Sequence, residues 1–242
     1  MNLIIDAGNT STKIAFFENN QLIATYPHVS LQDITTHINQ HAPAYGIICS
    51  VNQDSTIFQQ ALQPFLDKVF VLDHLLPVPI TNRYQTPQTL GKDRLAAVCG
   101  ATYLYGEYAC LVIDMGTCIT YDFVDAQKNY WGGSISPGLQ MRFKAMHTFT
   151  ARLPLLEPEP DTVPLTGTNT IEAMQSGAIH GMTCEIEGII KEYRKNFSKM
   201  HVIFCGGDAT FFENKIKESI FVIPELVLVG LNRILEYNVS LV

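Results

Sequence analysis

The sequence has little charge for its length and no concentration of one sign. Asp, Glu, Lys and Arg make up 16% of 242 residues, and the net charge is −7. A nucleic-acid binder normally shows a basic face, and no Lys/Arg cluster suggests one here. The densest basic run, 191–199, alternates with apolar residues and reads as a solvated helix face. No apolar run approaches the ~18 residues needed to span a bilayer. The N-terminus enters a strand directly, with no signal-type stretch. The six cysteines include no Cys-x-x-Cys pair and the seven histidines show no zinc spacing with them. They read as reduced core residues of a cytoplasmic protein. Gly-x-x-x-x-Gly-Lys-Ser/Thr and Gly-x-Gly-x-x-Gly are both missing. A P-loop NTPase and a Rossmann dehydrogenase are therefore set aside.

What is present is a repeated pattern. Leu3-Ile4-Ile5 runs into Asp6-Ala7-Gly8-Asn9-Thr10, then Lys13-Ile14-Ala15-Phe16-Phe17. Leu111-Val112-Ile113 runs into Asp114-Met115-Gly116-Thr117, then Ile119-Thr120-Tyr121-Asp122-Phe123. Each is strand, Asp-x-Gly turn, strand.

Helices are expected over 31–40, 57–66, 93–105, 170–194 and 226–236, the fourth capped by Thr168 or Asn169. Strands are expected over 46–51, 69–72, 110–114, 119–124, 130–135, 201–205 and 221–224. The Pro-rich segments 77–87 and 153–164 read as irregular. This order is mixed α/β and internally duplicated, with domains at 1–108 and 109–242. Ligands in such folds bind at carboxyl ends of strands, where both turns fall.

Glycine lets backbone approach a ligand, and turn amides with Asn9 and Thr10 can donate to phosphate oxygens. Asp6 shares the phosphate's sign, so it needs Mg²⁺ or water between them. Lys13 adds a positive charge or points to solvent. Gly91-Lys92-Asp93-Arg94 opens a helix. Asp93 either takes a substrate proton or caps the helix, and Arg94 can orient an anion in bidentate fashion. Gly132-Gly133-Ser134-Ile135-Ser136-Pro137-Gly138 and Gly206-Gly207-Asp208 mark close backbone approach or tight bends.

Together these segments resemble the type III pantothenate kinases of the actin/hexokinase/heat-shock-chaperone ATPase superfamily. The motifs Asp6 to Lys13, Gly91 to Arg94, Asp114 to Thr117, Gly132 to Gly138 and Gly206-Gly207 occur in the family's order. The resemblance implies two RNase H-like domains and ATP-dependent phosphorylation of pantothenate to 4′-phosphopantothenate, the first step of coenzyme A synthesis. It implies Asp93 as the base. ATP contacts would come from Asp6, Ala7, Gly8, Asn9, Thr10, Ser11, Thr12, Lys13 and Thr117. Pantothenate would be held by Tyr84, Gly91, Lys92, Asp93, Arg94 and Thr170, with Arg94 on its carboxylate. Asp114 would ligate a monovalent cation, K⁺ or NH₄⁺, and Asp6 would hold Mg²⁺ through water. A cytoplasmic homodimer is implied, with no nucleic-acid or membrane partner. Two residues depart from the pattern: Thr86 stands where Asn is expected, and Lys92 replaces a commonly small residue. Rival readings are another small-molecule kinase on the same scaffold, or a nucleotide-binding regulatory protein without turnover.

Overall fold

The computed structural model describes residues 1–8, 11–50, 55–159 and 163–242. Asn9 and Thr10 of the first motif, and Val51 at the end of an expected strand, lie outside them.

The chain forms two compact units. The first comprises Met1–Glu107, Val124–Gly132 and Glu225–Val242, and the second Tyr108–Phe123 and Gly133–Pro224. Chain order alone placed the last helix with the second half. Contacts place it with the first.

In the first unit, β1 (Asn2–Ala7), β2 (Thr12–Glu18) and β3 (Gln21–Tyr26) form an antiparallel meander. Asn19 and Asn20 take positive φ in the tight turn between β2 and β3, a conformation Asn tolerates better than most residues. Helix α1 (Leu31–His41) follows, capped by Ser30 in a full capping box with Asp33. Strand β4 (Tyr45–Ser50), helix α2 (Ser55–Leu62) and strand β5 (Lys68–Val71) complete the sheet. Its order is β3-β2-β1-β4-β5, with β4 parallel to both β1 and β5. Helix α2 stops at Leu62, short of the expected 66, and Leu66 packs as a buried residue beyond it.

Strand alternation sorts the first unit's core. Leu3, Ile5 and Ala7 share one cluster with Ile34 and Ile38 of α1 and Phe58 and Leu62 of α2. Asn2, Ile4 and Asp6 take the other face of β1. There, helix α3 (Lys92–Tyr105) and helix α7 (Leu226–Val239) pack, and Asn2 donates to Asn232 of α7 at 2.8 Å. That parity puts Asp6 on the α3 side of its sheet.

The two helices approach almost backbone to backbone. A Cβ on Gly230 would sit 1.8 Å from the Ala96 carbonyl, and one on Gly100 would sit 2.6 Å from that of Leu226. Gly230→Ala is therefore expected to cost about 1–3 kcal/mol by overpacking. A urea midpoint equal to wild type would contradict this crossing.

The Pro-rich stretch is not wholly irregular. Thr81–Asn82 forms a short strand, β6, and Pro87–Thr89 a 3-10 turn. The short strand is possible because β6 lies at an edge, where proline neighbours interrupt no ladder.

In the second unit, β7 (Cys110–Met115), β8 (Cys118–Val124) and β9 (Asn129–Pro137) form the meander. Helix α4 (Leu139–Thr148), helix α5 (Thr170–Asn196), strand β10 (His201–Cys205), helix α6 (Ala209–Glu213) and strand β11 (Phe221–Val222) follow. Strand order is β9-β8-β7-β10-β11, with β7, β10 and β11 parallel. It repeats the first sheet's β3-β2-β1-β4-β5. At its start, β9 also pairs in parallel with β6, Thr81 opposite Asn129. Leu111, Ile113 and Met115 pack with Phe143 of α4, Met182 and Ile186 of α5, and Phe212 of α6.

Candidate active site

In both sheets the Asp-x-Gly turn leaves the central strand at its carboxyl end, between an antiparallel and a parallel neighbour. Such switch points are where open α/β sheets take ligands.

The first unit holds eleven of the expected residues among those described: Asp6, Ala7, Gly8, Ser11, Thr12, Lys13, Tyr84 and Gly91 to Arg94. Asp6 lies opposite Lys13 of β2 and Cys49 of β4 in the sheet register. Burial raises the Asp6 carboxyl to about pH 6, the charge of Asp93 adds to the rise, and Lys13 partly offsets it. Asp6 and Asp93 therefore feel each other's charge directly. Ala7 is buried at the end of β1, and the Gly8 amide donates to the Ser11 carbonyl at 3.1 Å, closing the turn. Thr12 pairs opposite Ala7.

Gly91 is the N-cap of α3, so Asp93 is not. It sits in the first turn and accepts from the Arg94 amide at 2.8 Å. Lys92 donates to the Ser50 carbonyl at the end of β4, at 3.0 Å. Its ammonium ties α3 to the strand beside Asp6.

Arg94 is 5% exposed, and its guanidinium lies 5.8 Å from the Tyr84 ring centroid. Tyr84 stacks in turn on Tyr130, centroids 6.4 Å apart. Thr86 does not disturb this arrangement: its hydroxyl and carbonyl are bonded to Thr89 in the 3-10 turn.

Cys49, fully buried beside Asp6, is a residue the motifs did not single out. Burial pushes its thiol well up, and the charges of Asp6 and Asp93 push the same way, so it stays protonated and unreactive.

The second unit holds Asp114, Thr117 and Thr170. Asp114 ends β7, opposite Cys205. Gly206 follows β10 at φ 85°, and a Cβ there would lie 2.3 Å from Asp114 Oδ1 and 2.5 Å from the Met115 carbonyl. Only glycine admits both the backbone angle and the carboxylate. The Asp208 amide donates to the Met115 carbonyl at 3.0 Å, completing the second glycine turn. Thr117 is bracketed by its own turn and by the Gly138 amide, which donates to its carbonyl at 3.2 Å. Thr170 opens α5 and is exposed. The cap is Asn169, whose side chain accepts from Glu172 at 3.0 Å.

A brace behind the Thr117 turn escaped the motif reading. Glu185 of α5 accepts from Tyr121 at 2.8 Å, from Ser136 at 3.2 Å and from Arg142 at 2.5 Å. Arg142 also donates to the Pro137 carbonyl at 3.0 Å. Burial alone would raise the Glu185 carboxyl, but Arg142 and the hydroxyls outweigh it and hold it below its ordinary value. Glu185→Ala is expected to cost about 1–2 kcal/mol, because Tyr121 and Arg142 lose their partner. The urea midpoint measures it, and an unchanged midpoint would contradict the brace.

Among the described residues, no three His, Cys, Asp or Glu side chains are arranged to hold a metal, and no helix is long and apolar enough to cross a membrane.

The sequence matches the family model for type III pantothenate kinase over residues 2–192. It is 44% identical over 240 residues to a type III pantothenate kinase of Phocaeicola vulgatus, covering 98% of this chain and 99% of that one. The fold is shared with a candidate transcriptional activator of the Baf family from Campylobacter jejuni, at TM-score 0.64, 21% identity and coverage of 98% and 99%. It is also shared with the activator of 2-hydroxyisocaproyl-CoA dehydratase from Clostridium difficile, solved with bound ADPNP, at TM-score 0.54, 12% identity and coverage of 99% and 96%. The chain therefore belongs to the type III pantothenate kinase family.

Proposed function

We infer that this protein is an ATP-dependent kinase that phosphorylates pantothenate to 4′-phosphopantothenate, the first step of coenzyme A synthesis. Family membership carries the reaction. The observation that supports the residue roles is the grouping of Asp93, Arg94 and Tyr84 with the Asp6 turn.

Phosphoryl transfer needs positioning and charge neutralisation more than covalent help. Arg94, buried against Tyr84, is placed to take the pantothenate carboxylate and so orient the far hydroxyl. Asp93 accepts the hydroxyl proton as the substrate oxygen bonds to the γ-phosphorus. The bond to the β,γ-bridging oxygen breaks and ADP departs. Lys92 acts differently from a substrate ligand: its ammonium is already engaged by Ser50, so it positions α3 rather than reaching for pantothenate. Gly91 contributes its backbone, and Thr170 is the remaining substrate contact in this reading.

The residues fit a divalent ion held through few protein atoms. Asp6 lies in an acidic, buried setting that disfavours its charge, and a cation would relieve it. Mg²⁺ characteristically takes one or two carboxylates, water and substrate phosphate rather than a full protein cage. Asp6 would hold such an ion, which would supply charge neutralisation at the phosphates. Asn9, Thr10, Ser11, Thr12, Lys13 and Thr117 complete the ATP contacts. Asp114 and the carbonyls around Gly206 offer the hard oxygen donors that suit an alkali cation. Activity is expected to require K⁺ or NH₄⁺, and full activity in sodium-only buffer would remove this role of Asp114.

The protein is proposed to be a cytoplasmic homodimer. A substrate panel read by ADP release tests the assignment. Pantothenate should be turned over, and hexoses and acetate should not. Faster turnover of a hexose would favour a sugar kinase.

A further inference from the structure

The crossing of α3 and α7 builds a second charged site away from the phosphate turns. Three residues beyond Gly100 and Gly230, Tyr103 and Arg233 meet, with the guanidinium 5.5 Å from the ring centroid. With Pro79, Cys99, Thr102 and Lys128 they line a cavity of about 100 Å³ in the first unit. A water occupies ~30 Å³, so the space holds about three waters or one tetrahedral oxyanion. A nucleotide is too large for it.

Lys128 reaches this cavity from a locked turn. Its φ is 63°, a conformation uncommon for any residue but glycine, asparagine and aspartate. Its amide donates to the Asp125 carbonyl at 3.0 Å, and its carbonyl accepts from Thr81 at 2.9 Å. The neighbouring acid does not neutralise it. The Asp125 carboxylate accepts from the amides of Gln127 and Asn129, both at 2.9 Å, and from Trp131 Nε1 at 2.8 Å.

Among the described residues, neither Lys128 nor Arg233 has a side-chain hydrogen-bond or ion-pair partner. Arg233 is only partly exposed yet keeps its five donors unbonded. Two unpaired cations converge on one small cavity in a protein whose net charge is −7. A partly desolvated guanidinium without an acceptor is costly, and a dianion would satisfy it.

We propose that this pocket binds a small doubly charged oxyanion: phosphate itself or the phosphoryl group of a phosphate monoester. Arg233 supplies the bidentate fork and Lys128 the point charge.

Calorimetric titration of the whole protein tests this, using inorganic phosphate and glycerol phosphate at constant ionic strength. A non-hydrolysable ATP analogue is kept saturating, so that the nucleotide site is filled. Saturable binding should persist under these conditions. Arg233→Gln and Lys128→Asn should each weaken it about tenfold. Asn tolerates the left-handed backbone at position 128. Both variants should retain kcat, which shows that they fold. Tight binding of the monoester would assign the pocket to phosphate esters, and binding of phosphate alone would assign it to the free anion; both support the site. The proposal is overturned if no saturable binding remains with the analogue present, or if neither variant changes the affinity.

Discussion

Replacing Asp93 by Asn is expected to lower kcat by roughly 10²–10⁴-fold, the usual contribution of a positioned general base. The side chain keeps its size, and its Oδ1 can still accept from the Arg94 amide, so the helix start survives. The cap is Gly91, so no capping energy is lost. ATP affinity should change little. Removing Asp93's charge should also let the Asp6 carboxyl fall toward its ordinary range, since that charge is the second cause of its rise. A variant that unfolds would point to a structural role for Asp93. A variant with normal kcat would remove the base.

Asp6→Asn should make the nucleotide- and metal-free protein more stable while sharply reducing its activity. Burial and Asp93 raise Asp6 from 3.8 to about 6. A raised folded-state pKa contributes stability below the unfolded value that is lost as pH rises through the folded value. At about 1.4 kcal/mol per unit, the ionised carboxylate costs about 3 kcal/mol above pH 6. The wild-type urea midpoint should therefore fall between pH 5 and pH 7, and Asp6→Asn should flatten that slope. A wild-type midpoint that is level across this window, or a less stable variant at pH 7.5, would contradict the electrostatic account. The penalty is tolerable because a cation and its phosphate would offset it in the working complex.

These two carboxylates show what could be read from the chain. Both Asp-x-Gly turns were legible because three apolar residues precede each and a second strand follows. The structure adds that five strands of the second sheet repeat the order of the first, with β6 added at the edge. Asp93 could be read as base or cap from its position after glycine. The backbone gives the cap to Gly91, which removes only that alternative. Helix α4 was not legible: only Leu139 and Phe143 of its ten residues are buried, too weak a stripe beside the Ser136-Pro137-Gly138 run. The Glu185 brace was invisible for a different reason. An acid on a long amphipathic helix reads as solvated until Tyr121, Ser136 and Arg142 arrive from distant segments. Likewise, chain order assigned α7 to the second half. Its glycine contact with α3 belongs to tertiary packing, which no local pattern encodes.

The most direct test of the central claim is the product itself. The purified protein is incubated with pantothenate, Mg·ATP and K⁺, and the products are analysed by mass spectrometry beside the Asp93→Asn variant. The account predicts 4′-phosphopantothenate formed in step with ADP by the wild type, and nearly none by the variant. ATP hydrolysis without phosphorylated pantothenate, or equal product from both proteins, would contradict it.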